Sequence, residues 1–540
     1  VVEGDPAFIR LDARRDPALL ERGSLAEHVN GRIRDGVAET RLGCIDPIWA
    51  RIGHEQIFGT GVFSNPLGEE WGLLVVRNRV WAIREGVDPK AVPLPEGVIV
   101  DGPVSLVQCF NVVVLFRGAD LAPLVWLGSF LSGFVPISAS PTPPLIPIPN
   151  AEAGEFFANR LLVPFQDDTV AVSDIGDYTV YDPTFQEFWI NTGGADRLVR
   201  IFGWNQGRVV MFKEKSVLVV ENVAGDLSQA RLTEVSRVVG CVGRLACCQS
   251  GGDVMFLDRK GVYALSEVFE SGLKVAPAAV SDPVAPLLER VNWRAAAGAV
   301  MVAWREYIYV AVPMDGAVRN NGVLVFNTRT LAWESLDVRE GLFFDEFFVL
   351  TVNGDARLFG VDKLAGRVLL LEEGEEDIYE DVRRAIPWRA VTRGYRLEPV
   401  GQGEAKRITV ELETWFPELD MAVRVDGVAE ESVLVEGQTR SRVKYVNWGK
   451  PDWNPLNEDD DHGERGREDY GVVLPEPDGM ELGSGVVLNL RQAWRTRWPV
   501  RVRGERVQMV LENNVGVMRL KGVAVEGVAG ERSPKVQLGG

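Results

Sequence analysis

Histidine and cysteine are scarce in this chain. The histidines are His28, His54 and His462, and none sits near a cysteine pair. The cysteines are Cys44, Cys109, Cys241, Cys247 and Cys248, an odd number with no CxxC spacing. Together these exclude a zinc ribbon and argue against a disulfide framework; buried free thiols in a reducing compartment are expected. Positive charge is also short. The formal net charge is −19, which repels phosphate and argues against a protein that grips nucleic acid through a broad basic face. It does not argue against one that lets DNA pass without sticking. No GxxxxGK[ST], GxSxG or HExxH motif occurs, so phosphate-loop, α/β-hydrolase and zincin chemistry have no local support. The opening "VVEGDPAFIR" has no basic stretch followed by an apolar one, and no secretory leader is expected from it.

What is present is a globular composition. Hydrophobic residues make up 46% and charged residues 25% of 540 positions. That length exceeds one ordinary core and predicts two or three domains, or a repeat architecture that grows by adding units.

A repeat is visible. Residues 211–220, "MFKEKSVLVV", and 256–265, "FLDRKGVYAL", share an apolar pair, a charged turn and an alternating strand with Val at the seventh place. The same pattern puts Val80, Val125, Val170, Val217, Val262, Ile308 and Leu358 in phase, at spacings of 45, 45, 47, 45, 46 and 50 residues. A period near 45 with several short strands per unit is the mark of a β-propeller blade. One small sheet apolar on both faces cannot bury both alone, whereas a ring of sheets buries each against its neighbour. The expected fold class is all-β: a propeller of six or seven blades over 46–365, followed by a β-sandwich-like platform domain completed by N- and C-terminal segments.

Three further assignments follow. Residues 366–384, with the acidic "LEEGEEDIYEDVRR", read as a linker. Residues 385–540 read as the platform: in "RITVELETW", Ile408, Val410 and Leu412 share one face, Asp426-Gly427 closes a hairpin, and 506–528 reads as two paired strands. Residues 1–45, with a short helix candidate in "DPALLERGSLAEHVN", are expected to pack on the platform.

Few residues suggest chemistry. "SDIGDYTVY" (173–181) is similar to the aspartate box of sialidase-type propellers, but Asp174 follows Ser173 directly and Val180 stands where Trp belongs, so a polar blade turn is expected. Asp174, Asp177, Asp345 and Glu346 are available carboxylates, yet no local motif arranges two for glycoside hydrolysis. "NEDDDHGE" (457–464) has consecutive rather than alternating acids, which suits a solvated loop better than a calcium loop. No catalytic residue, metal site or cofactor is expected. One segment stands out. Residues 121–151 hold no charged residue, and six prolines after Phe134 forbid a continuous helix. The segment reads either as blade strands with an extended connector or as a projecting contact or gate loop, with Trp126, Phe130, Phe134, Leu145 and Ile146 as the contact residues.

The stretches 159–183 ("NRLLVPFQDDTVAVSDIGDY…DP"), 207–222 ("GRVVMFKEKSVLVVEN"), 239–266 ("VGCVGRLACCQSGGDVMFLDRKGVYALS") and 311–337 ("AVPMDGAVRNNGVLVFNTRTLAWESLD") together resemble the tail nozzle family of short-tailed bacteriophages, also called tail tubular protein B or tail hub. "RAIPWRAVTRGYRL" (385–397) and the strand-rich C-terminal region fit the family's platform. The resemblance implies a structural virion protein and no enzyme. It would assemble in the host cytoplasm as a homohexameric ring in the tail, contacting portal, adaptor and tail-fibre or tail-tip proteins. Viral DNA would pass through the lumen during ejection without sequence-specific binding. Two other classes stay open at this stage: another propeller-bearing tail-tip or host-recognition protein, and a propeller hydrolase or lectin acting on glycans.

Overall fold

The computed structural model describes residues 1–436 apart from 15, 138–141, 143, 166–168, 191–195, 206, 269–271, 276–278, 399–400, 415–417 and 427; it further describes 444–446, 486–488 and 492–529 apart from 515. The acidic 457–464 segment lies outside the described residues.

Among the described residues, seven small antiparallel sheets follow one another along the chain, one per blade. Blades 1 to 6 occupy 59–93, 105–136, 155–189, 198–236, 247–275 and 300–338. Blade 7 takes Glu346–Val352, Asp355–Asp362 and Arg367–Leu371, and its fourth strand is Cys44–Ile45 from before blade 1. Ile45 pairs with Leu370 and Cys44 with Leu371, both antiparallel. The ring is therefore closed by hydrogen bonds between the segment entering blade 1 and the strand leaving blade 7. First strands touch between blades 1 and 2, 2 and 3, 3 and 4, 5 and 6, 6 and 7, and 7 and 1.

All seven in-phase residues are buried, but the phase conceals a slip. Val80, Val125, Val170, Val217 and Val262 sit in the third strand of their blades, whereas Ile308 and Leu358 sit in the second. The connector between blades 5 and 6 carries a short helical turn, Asp282–Val284 and Ala285–Leu288. Its length makes up for the missing strand and keeps the spacing near 45.

Residues 366–384 are not a linker. Arg367–Leu371 is a blade strand with Val368, Leu369, Leu370 and Leu371 buried, and Asp377–Tyr379 with Val382–Arg384 forms a hairpin that extends the same sheet. Residues 372–376 occupy the turn between them, where Glu372 is buried against Arg32 and Glu375 is exposed; acidic composition there marks a turn rather than an interdomain tether.

The platform is two stacked sheets. One carries Gly31–Arg34, Val37–Thr40, Met518–Ala529, Gly403–Thr414 and Gln492–Gly504 in that order, with Val2–Asp5 also paired to Met518–Ala529. The other carries Ser24–Val29, Trp388–Thr392, Val507–Asn513, Glu418–Val425 and Val428–Glu436. Ile408, Val410 and Leu412 point into the core between them. The N-terminal segment thus contributes strands to both layers. Val507–Asn513 and Met518–Ala529 do not pair with each other but belong to opposite sheets. Both present an apolar face to the same core, so the chain crosses from layer to layer at Gly516, where φ is +69°. The helix expected in 16–30 is absent: Pro17–Leu19 makes one tight turn and Ser24–Val29 is a strand. Gly23, at φ +79°, breaks the helical path, and a strand here buries Leu25 and Ala26 against the sheet.

Propeller and platform share a sheet. Blade 6 continues from Ala332–Val338 into Ser24–Val29 through a parallel contact of Val29 with Leu336, giving ten strands in all.

Candidate contact surfaces

The uncharged 121–151 segment divides into three parts. Trp126 and Phe134 lie in the third and fourth strands of blade 2 and are buried. Their rings stack at 6.1 Å, and Trp126 also meets Phe63 of blade 1 at 4.8 Å. Phe130, half-buried, folds back to 5.0 Å from Trp71, with Lys90 Nζ over both rings. Gly133 lets the loop come this close: a Cβ there would lie 2.2 Å from the Pro93 carbonyl oxygen, and φ is +65°. Three of the five expected contact residues are thus packed between blades 1 and 2. Leu145 and Ile146 are separate from them and half-buried. Ile146 exchanges backbone hydrogen bonds of 2.8 and 3.0 Å with Tyr181 and adds a sixth element to the five-stranded sheet of blade 3. Among its described residues, the tip between the two blade-2 strands is strongly exposed, with Leu131 94% and Leu127 63% exposed.

The carboxylates considered for catalysis are engaged separately. Asp345 pairs with Arg319, Glu346 with Lys363 at 2.7 Å, Asp174 accepts from Gln186 at 3.0 Å, and Asp177 caps Thr179 in the tight turn of 173–181. Among the described residues no group of His, Cys, Asp and Glu could hold a metal ion. The five thiols are all buried and form no disulfide; burial pushes the Cys109 and Cys248 thiols well up, beyond reactive range, and Cys44 up to about 12.

One end of the propeller axis is crossed by Arg244. From the connector into blade 5 its Nη1 donates to the Glu152 carbonyl at 3.0 Å and its Nη2 to that of Val104 at 3.4 Å, at the entries to blades 3 and 2. Burial pulls its pKa down and Glu346 counters the shift. Beside it, Glu155 accepts from Gly203 N at 3.1 Å and from Arg200 at 3.4 Å. Burial nevertheless holds this carboxyl above the ordinary carboxylate range.

The second polar concentration is the joint between propeller and platform. Arg32 is fully buried, donating to both oxygens of Asp337, to Ser335 Oγ at 3.1 Å and to Glu372, with its guanidinium near the rings of Tyr307 and Tyr309. Arg41 makes a bidentate pair with Asp377 at 2.9 and 2.7 Å and donates to Asn30 Oδ1 at 3.0 Å. His28 Nε2 accepts from Trp388 Nε1 at 3.2 Å, which places the ring proton on Nδ1, 2.7 Å from the Glu334 carbonyl oxygen. Nearby opens a cleft of about 370 Å³ lined by Arg14, Glu27, His28, Arg290, Arg424 and Gln508. Its arginines are already answered by acids: Arg14 by Asp12, Arg290 by Asp315 at 2.7 Å, Arg424 by Glu27 at 4.0 Å. No sequence motif marks this joint. Its one signal is the strand "AWESLDV" (332–338), where Glu334 and Asp337 interrupt an otherwise apolar blade strand and require buried partners.

No family model matches the chain, and no curated protein matches it. Among solved structures it is similar to an extracellular domain named BT4673 from B. thetaiotaomicron (10% identity, TM-score 0.40, covering 76% of this chain and 50% of that one). It is similar to virginiamycin B lyase from Staphylococcus aureus (9% identity, TM-score 0.38, 61% and 98%) and to the Cps50 (Swd1) β-propeller domain of Myceliophteria thermophila (10%, TM-score 0.36, 62% and 98%). The chain spans half the length of the first of these.

Proposed function

We propose that the chain is a structural virion protein: a tail nozzle or hub subunit that forms the distal DNA channel of a short-tailed phage as a ring of six. The observation that supports this best is the joint. Strands from the first 45 residues enter both platform layers and also close blade 7, so propeller and platform are held as one part by a shared sheet and a buried ion network. A ring that bears load during DNA packaging and ejection needs that stiffness, and a resemblance to nozzle proteins lies in the same blades. In this reading the conduit is the hole between subunits. Each subunit brings −19, which weakens adhesion of passing DNA wherever acids face the lumen. Screening confines that effect to about 8–10 Å. Labelling of intact particles with antibodies against this chain tests the assignment: label at the distal end of the tail supports it, and label on the capsid, or on no particle, refutes it.

A further inference from the structure

The outer face of one platform strand runs against the charge of the whole chain. Gln492–Gly504 is the terminal strand of its sheet, paired only with Gly403–Thr414 among the described residues. From Arg497 to Arg503 its side chains alternate strictly. Trp498, Val500 and Val502 are buried in the platform core, while Arg497, Pro499, Arg501 and Arg503 are exposed on the other face. Arg495 continues the alternation in sequence. Pro499, which has no N–H to give a further strand, fits an edge position. Among the described residues none of Arg497, Arg501 and Arg503 is in an ion pair. Their cross-strand neighbours are Thr409 opposite Arg497 and Glu404 opposite Arg503, with Arg407 opposite Pro499. Arg407 is itself paired with Glu526 at 3.1 Å.

We propose that this arginine row is a contact stripe for the phosphate backbone of duplex DNA. The inference rests on the DNA-conduit reading and names the surface that would meet the DNA. Alternate strand residues stand about 6.6–6.8 Å apart, so the backbone positions of the three arginines are spaced by about 13 Å and 7 Å. DNA offers one phosphate per about 3.4 Å of helix axis on each strand, so a row about 20 Å long spans several phosphates, and the planar guanidinium suits bidentate phosphate contacts. A second copy docked edge to edge with its mate would instead set arginine against arginine. A row of three on a strongly acidic chain holds DNA weakly and releases it as salt rises, which suits guidance rather than capture.

The test is binding of a 30-base-pair duplex of arbitrary sequence to the full chain, read by fluorescence anisotropy at 50 and 200 mM salt. Three phosphate contacts predict a fall in affinity of roughly 40-fold over that range. R497S/R501S/R503S is expected to abolish measurable binding at 50 mM with an unchanged melting temperature, since all three side chains are exposed. R497K/R501K/R503K, which keeps the charge, is expected to retain binding within about tenfold, and R501S alone to lower the salt slope by about 0.9. Should the serine triple mutant fail to fold, the lysine triple mutant and R501S still decide the matter. Binding that is absent in the native chain, or unchanged in R501S and the triple mutant, overturns the proposal. So does loss of self-association without loss of DNA affinity, which would make the stripe an interface between copies. Ring formation is followed separately by light scattering: rings that form without binding DNA sink the stripe alone, whereas a native chain that forms no ring sinks the nozzle reading.

Discussion

Arg32 and Asp337, 305 positions apart, meet in a bidentate pair of 3.0 and 2.8 Å with both side chains wholly buried. Burial alone would raise the Asp337 pKa, but the facing Arg32 pulls it down to about 2. Arg32 belongs to the platform strand Gly31–Arg34 and Asp337 to the last strand of blade 6, so the pair pins the two parts together at the start of the shared sheet.

Removing one partner strands the other charge in the interior. Arg32→Met and Asp337→Asn are each expected to cost about 3–5 kcal/mol. Chemical unfolding of the single and double variants reads this out. The double variant R32M/D337L should recover part of the loss, because no orphaned charge remains apart from Glu372, which Arg32 also contacts.

His28 sets a pH dependence. Burial is the main cause lowering its pKa from 6.5 to about 4, helped by Arg32 and opposed by the bond to the Glu334 carbonyl. A proton on Nε2 would face the Trp388 N–H. The unfolded chain therefore binds a proton more readily than the folded one between these values. Stability is whole above pH 6.5 and falls as pH drops towards 4, by about 3 kcal/mol in total. Denaturant midpoints measured from pH 7 to 4 check this, and His28→Gln should flatten that part of the profile. Asp337 adds a second loss between about pH 3.8 and 2.

Across the propeller axis, Arg244→Ala deletes two hydrogen bonds to carbonyls of other blades. A cost of about 1–3 kcal/mol is expected. Hydrogen exchange should localise the loosening to the entries of blades 2, 3 and 5; uniform exchange in both proteins would show that Arg244 is incidental to ring closure.

In blade 2, Trp126→Ala and Phe134→Ala should cost about 3–5 kcal/mol each, as buried aromatics. Leu127→Ser and Leu131→Ser at the exposed tip should leave the melting temperature within a degree or two. If the tip variants also block particle assembly, the tip is a contact surface.

The ring was legible because its signal is periodic. Each blade's hairpin repeats an apolar pair, a turn and a buried Val, Ile or Leu, and seven copies at near-even spacing announce a ring of six or seven blades. The slip between blades 5 and 6 was not legible, since a helical connector replaces a strand without changing the count. The closing strand Cys44–Ile45 is two residues long, too short for any pattern. In the platform, alternation told which residues of 408–412 face inward but not which strands pair, so 506–528 looked like a hairpin when it is a crossing between layers. The contact residues were chosen for lack of charge. Absence of charge marks burial as readily as contact, and Trp126 and Phe134 proved to be blade core.

The central claim is that this chain works as a ring around DNA. Single-particle electron microscopy of the purified full-length chain at micromolar concentration tests it most directly. The account predicts closed six-fold rings with an open central hole and propellers disposed around it. Monomers or two-fold dimers at every concentration, unchanged by added virion partners, would contradict it.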